Sequence, residues 1–170
     1  KFSYLDKAFP IGNKQTISQP FTVAFQTELL KIKPHEKILE IGTGSGYQSA
    51  VLISLEADVY TIERQKELYL KTKDFLPKIG YNCKFFYGDG YKGLVNFAPF
   101  DRIIVTCGAP YIPEELVRQL KVGGRMVAPI GDGDIQVMHL IEKISEDKTR
   151  VTTHGDFSFV PMLNNRTSGT

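Results

Sequence analysis

Ile38 to Gln48, ILEIGTGSGYQ, is the stretch from which the fold is read. An apolar run with one acidic residue enters a GxGxG turn, so a strand feeds a helix through a backbone that turns tightly and lets a ligand approach without side chains between. A dinucleotide fingerprint would place its third glycine at position 47, where helix packs on strand, but this chain has Tyr47 there. Glu40, expected to face the same site, would repel a pyrophosphate and attract an ammonium or a sulfonium. S-adenosylmethionine carries both cations and no phosphate, which makes it the expected cofactor. On the glycines alone, a plain strand-to-helix turn stays open.

Outward from that turn, short apolar runs of β type alternate with helical patterns, and no repeat or linker splits the chain. Upstream, Phe21, Phe25, Leu29 and Ile32 recur at helical spacing behind Ser18 and Pro20, with Pro34 closing the helix. The strand over Lys37 to Ile41 leads through the glycines to a helix over Tyr47 to Leu55. Downstream the pattern predicts strands over Asp58 to Glu63, Cys83 to Tyr87 and Arg102 to Thr106, a helix over Gln65 to Lys78, and a turn at Gly88 to Gly90. Pro113 to Leu120 reads as a helix with Pro at its first position and Glu114 and Glu115 in its first turn. Beyond it, Arg125 to Pro129, Ile135 to Ile144 and Val151 to Val160 are strand-like with no helix between them. Repeated βα units closing in an all-β tail imply an α/β fold: a doubly wound, mostly parallel sheet with helices on both faces and antiparallel strands at the C-terminal edge. Ligands in such sheets sit beyond the carboxyl ends of the strands, which points to Glu40 to Gly46, Glu63, Gly88 to Gly90 and Thr106 to Ala109.

The 170 residues, 42% hydrophobic, suffice for one core, so residues 1–170 are expected to form a single domain. Twenty-one basic against 19 acidic residues leave a net charge of +2 and no basic run, which argues against a nucleic-acid partner. No apolar run is long enough to span a membrane, and Cys83 and Cys107 lie in separate apolar stretches, so a reduced, cytoplasmic protein is expected. The chain opens at Lys1, consistent with a fragment.

Glu63 ends the second strand, 17 positions beyond Gly46, where a doubly wound nucleotide site places an acid for ribose hydroxyls; a plain surface glutamate is the alternative. Asp89, between two glycines, is either a turn former or a carboxylate presented to an adenine ring. Ser18 reads as the N-cap of the helix at Pro20, a place that also attracts a substrate carboxylate. Cys107 is expected to pack rather than to attack, and His35, His139 and His154 have no metal-ligand spacing, so no metal is expected. The segment Thr106 to Pro110 lacks the Asp or Asn with two prolines that amino-group methylases use, which favours an oxygen acceptor.

With Ser18 set beside the glycine loop, the chain resembles the protein-L-isoaspartate (D-aspartate) O-methyltransferase family. The matching segments are QTISQPFTVAFQTELL at Gln15 to Leu30, LEIGTGSGYQSAVL at Leu39 to Leu52, YTIER at Tyr60 to Arg64, GDGYKG at Gly88 to Gly93, the long run Phe100 to Gly131, and FVPM at Phe159 to Met162. The resemblance implies a class I S-adenosylmethionine-dependent methyltransferase fold. It also implies methyl transfer to the free carboxylate of L-isoaspartyl and D-aspartyl residues in damaged proteins and peptides, followed by spontaneous succinimide closure. It implies that Ser18 orients the substrate carboxylate, helped by the backbone of Gln15, Thr16 and Ile17, and that Val160 lines the peptide groove. Cofactor contacts would come from the same Gln15 to Ile17 segment, from Glu40, Gly42, Thr43, Gly44, Ser45 and Gly46 at the methionine end, from Glu63 at the ribose, from Asp89 and Gly90 at the adenine, and from Thr106. A monomer is expected. Departures are Lys14, where the family commonly has glycine, an absent N-terminal helical segment, and an unusual tail over Leu163 to Thr170. Two readings remain beside this one: a small-molecule O-methyltransferase, for which the chain has no segment to spare as a lid, and a relative that binds cofactor or peptide without turnover.

Overall fold

The computed structural model describes residues 6–7, 9–12 and 15–165, with the backbone alone at Gln15. Lys14 and residues 166–170 of the tail lie outside them.

The most buried strands are those that read as continuous apolar runs. In β3 (Lys37–Ile41), β4 (Asp58–Glu63) and β6 (Phe100–Val105) nearly every side chain is buried, as expected for strands covered on both faces. β3 pairs in parallel with both neighbours, Glu40 standing opposite Thr61 on one side and Ile104 on the other. β5 (Lys84–Tyr87) and β7 (Leu120–Ile130) continue the parallel sheet outward, and β8 (Gln136–Ser145) and β9 (Lys148–Phe157) add antiparallel strands beyond β7. The order is β5-β4-β3-β6-β7-β8-β9.

Alternation along the strands feeds two cores. Ile38, Ile104, Val127 and Met138 pack with Leu30 of α1 (Pro20–Leu30) and Leu52 of α2 (Tyr47–Ser54). Leu39, Ile41, Ile103 and Met126 pack on the other face with Leu116 of α4 (Glu114–Arg118) and with Tyr91 and Leu94 of the β5–β6 connection. α3 (Lys66–Lys78) lies beside α2 and meets β4 and β5.

Several boundaries depart from the sequence reading. α1 stops at Leu30, before Ile32 and Pro34, because Lys31 takes a left-handed φ of 49° and returns its N–H to the Glu28 carbonyl. Arg102 fixes that end, donating to the Leu30 carbonyl at 2.8 Å while paired with Glu36 at 2.8 Å. α4 is shorter than Pro113 to Leu120, since Leu120 already pairs with Phe100 as the first residue of β7. β9 ends at Phe157, and residues 158–162 leave β8 to run beside Gly108. A small hairpin, β1 (Phe9–Gly12) with β2 (Gln15–Ile17), precedes α1 and has no counterpart in the sequence reading.

From β3 the chain winds outward through β4 and β5, then crosses back to β6 on the far side of β3. The connections after β3 and β6 therefore part in opposite directions and leave a crevice at their carboxyl ends.

Candidate functional site

The crevice opens where β3 runs into the glycine loop. Gly42 has φ +95° and lies so near the next strand that an added Cβ would sit 2.6 Å from Thr106 Oγ1. Gly46 has φ +83°, and its Cβ would meet Leu76 Cδ1 at 2.2 Å, so this glycine is what lets α2 and α3 touch. Among the bonds that hold the loop, Gly44 N–H donates to Glu63 Oε2 (3.0 Å), Thr72 Oγ1 donates to the Gly44 carbonyl (2.6 Å), and Gly46 N–H donates to the Thr43 carbonyl (2.8 Å). Thr43 is buried, its hydroxyl 2.6 Å from that of Thr61, while Ser45 Oγ accepts from the Tyr47 N–H at 3.3 Å.

Glu63 lies at the carboxyl end of β4 and lines the cavity with Gly42, Gly44, Ile62, Gly90 and Thr106. One carboxylate oxygen takes the Gly44 N–H and the other takes the Gln65 N–H at 2.8 Å, which leaves a lone pair on each for further donors such as ribose hydroxyls. Asp89 forms a turn at the edge of the crevice. Oδ1 accepts from the Tyr91 N–H (3.0 Å) at the head of a short 3₁₀ turn, and Oδ2 accepts from the Asn165 N–H (3.1 Å). It lines a second cavity that adjoins the first at Ile62.

Glu40 is not where the sequence placed it. Its side chain is fully buried, turned beneath α2 to accept from Ser49 Oγ, and it lines none of the cavities around the glycine loop. Strand alternation explains this: Glu40 shares the face of Ile38 and Ile104, which α1 and α2 cover. Burial raises its carboxyl to about 7, and Oε1 has no partner among the described residues.

Ser18 follows β2 directly. It is not the N-cap: that position is Gln19, and the first-turn N–H of Phe21 is taken by Asp6 Oδ1 at 3.0 Å. The Ser18 hydroxyl has no hydrogen bond among the described residues and lines a groove of about 670 Å³ with Thr16, Phe21, Phe157, Val160 and Thr106. Ile17 joins it in a smaller recess against Thr43 and Ser45. Val160 lines both the groove and the Glu63 cavity, with its carbonyl accepting from the Gly108 N–H at 2.9 Å. Gln15 contributes backbone to β2, and its side chain lies outside the described residues. Thr16 and Thr106 line the cavity, the groove and the recess alike, so they stand where these spaces meet.

Ile11 of β1 was not foreseen at the site: its Cδ1 would lie 3.3 Å from a Cβ on Gly44. Nor was the strap that continues from Val160 over residues 161–165, in which Met162 N–H donates to the Gly108 carbonyl (2.7 Å) and Arg64 Nε donates to the Asn165 carbonyl (2.9 Å). Burial pushes the Cys107 thiol up to about 12, so at neutral pH it is no thiolate nucleophile. Among the described residues, no cluster of His, Cys, Asp and Glu has the makings of a metal site.

This geometry fits an adenosyl cofactor: a glycine loop open to close backbone approach, a carboxylate at the end of β4, and a cavity whose basic lining residue among the described ones, Arg64, gives its Nε–H to the Asn165 carbonyl. The family model for protein-L-isoaspartate (D-aspartate) O-methyltransferase matches residues 1–167. A protein-L-isoaspartate O-methyltransferase of Flavobacterium johnsoniae is 57% identical over 166 residues, covering 97% of this chain and 78% of that one. A solved protein-L-isoaspartate O-methyltransferase superposes with a TM-score of 0.84 at 28% identity, over 95% of this chain and 54% of its own. A Plasmodium falciparum structure described as a putative protein-L-isoaspartate O-methyltransferase in complex with S-adenosyl-L-homocysteine gives a TM-score of 0.81 at 27% identity, covering 95% of this chain and 82% of that one.

Proposed function

This chain belongs to the protein-L-isoaspartate (D-aspartate) O-methyltransferase family, and on that premise we propose how its own residues carry out methyl transfer to the free carboxylate of an L-isoaspartyl or D-aspartyl residue. The observation that carries the reading is the meeting of two spaces at Thr16 and Thr106, one lined by Gly42, Glu63 and Gly90, the other by Ser18 and Val160.

S-adenosylmethionine supplies a methyl group on a positively charged sulfur. Glu63 and the glycine loop would hold its ribose and methionine portions, and Gly90 with Asp89 the adenine end. Ser18, with its hydroxyl free of the helix cap, donates to the acceptor carboxylate and turns one oxygen toward the junction. The acceptor is already ionised at neutral pH and is itself the nucleophile, so the site needs no general base. Alignment across the junction, with water kept out by the strap and by Ile11, supplies the rate, worth up to roughly 7–11 kcal/mol for well-oriented partners.

The same reading includes a single domain acting as a monomer in the cytoplasm, on damaged proteins rather than nucleic acid. The two free thiols and the near-balanced charge support it. No helix among the described residues is long and apolar enough to cross a membrane.

The test is repair. Over repeated turnover with S-adenosylmethionine, an isoaspartyl peptide should convert progressively to a mixture containing the normal aspartyl peptide, followed by reversed-phase chromatography. An unchanged peptide, with cofactor consumed on some other acceptor, overturns the proposal.

A further inference from the structure

Thr106 stands at the junction, and its hydroxyl has an unusual set of neighbours. Two backbone carbonyls lie within reach of Oγ1, that of Ile41 at 2.9 Å and that of Gly42 at 2.8 Å. The Ile41 carbonyl already accepts the Thr106 N–H at 3.0 Å. The single hydroxyl proton is therefore best used on the Gly42 carbonyl, after which Oγ1 keeps only lone pairs and, among the described residues, has no donor. Three oxygens, those of the Ile41 and Gly42 carbonyls and Thr106 Oγ1, thus converge with one hydroxyl proton between them. Thr106 lines the cofactor cavity, the Ser18 groove and the recess that joins them.

A donor-free oxygen beside two carbonyls makes the local potential negative. That suits a group with outward positive charge and acidified C–H bonds, and it disfavours a carboxylate at the same spot. Where a sulfonium methyl is to be passed to a carboxylate, such an oxygen would attract the donor and not the acceptor. Once the methyl has gone, the sulfur is neutral and the attraction falls away.

We propose that Thr106 Oγ1 contacts the sulfonium methyl and thereby discriminates charged S-adenosylmethionine from the neutral thioether S-adenosylhomocysteine, favouring loading of the donor and release of the spent product. This rests on the proposed methyl transfer, but it concerns the relative affinity for two cofactor forms and can fail separately.

Calorimetric titration of both forms decides it without reference to turnover. In Thr106→Val, which keeps the branched shape and removes the oxygen, affinity for S-adenosylmethionine should fall about fivefold while that for S-adenosylhomocysteine changes less than about twofold. Thr106→Ser should keep the wild-type ratio. Thr106→Ala carries the same prediction as Thr106→Val and stands in if the valine variant does not fold. Equal weakening of both forms would overturn the proposal and make Thr106 a prop beneath the Gly42 turn; an unchanged ratio would overturn it as well. Failure of the wild type to bind either form would remove the underlying reading itself.

Discussion

Ser18 and Glu40 show how one residue's role depends on which neighbours claim it. The Ser18 hydroxyl is released because Gln19 occupies the cap position and Asp6 takes the Phe21 N–H, so its removal leaves the helix start intact. Ser18→Ala is expected to lower kcat/KM on an isoaspartyl peptide roughly 10- to 100-fold, as for a lost orienting hydrogen bond, with S-adenosylmethionine affinity within about twofold. Equal loss of both would remove Ser18 from the acceptor side. Glu40 is claimed by burial instead. Its carboxyl rises to about 7 against an ordinary 4.5, so between those values the folded protein holds a proton that the unfolded chain has lost. Stability therefore falls as pH rises through that window, by on the order of 3 kcal/mol from this group. Glu40→Gln, which can still accept from Ser49, should lose less stability between about pH 5 and pH 7.5 in urea titrations. An identical pH slope in the two proteins contradicts the assignment.

Elements differ in how openly they announce themselves. β3 and β4 match the sequence reading at both ends, because a buried parallel strand is a continuous apolar run with polar residues on either side. The β1–β2 hairpin escaped because a strand of three or four residues shows no period, although it delivers Ile11, Thr16 and Ser18 to the site. The end of α1 was misread because Ile32 keeps the helical spacing, while the left-handed Lys31 that stops the helix has no residue-type signature. The junction of α2 with α3 yields a paired prediction. Gly46→Ala meets Leu76 and Thr72 as well as backbone strain, whereas Gly80, with φ +91°, has open space around it. Thermal or urea unfolding should show Gly80→Ala costing about 1–2 kcal/mol, from the left-handed backbone alone. Gly46→Ala should cost at least about 2 kcal/mol more, from overpacking between the helices. Equal costs would mean that α2 and α3 are not packed through that glycine.

For the whole molecule, alternating βα units and an all-β tail were enough to give the sheet and its crevice, and of the strand-end residues Gly42, Gly44, Glu63, Gly90 and Thr106 fall around one cavity. The acceptor role proposed for Ser18 rests on the likeness of Gln15 to Pro20 to a known family, since no spacing rule marks a serine whose hydroxyl is left unbonded among the described residues. Glu40 misled for a physical reason: at a strand end, a shift of one residue exchanges the crevice for the helix layer. Beyond Val160, the strap of residues 161–165 was invisible because it is held by backbone contacts to Gly108 and by Arg64 and Asp89, partners distant in sequence. The central claim, that two adjoining spaces bring a methyl donor to a damaged carboxylate, is tested most directly by methyl-labelled S-adenosylmethionine and two peptides identical except for Asp or isoAsp at one position. The account predicts base-labile label on the isoAsp peptide alone; label on both peptides, or on neither while the cofactor binds, would contradict it.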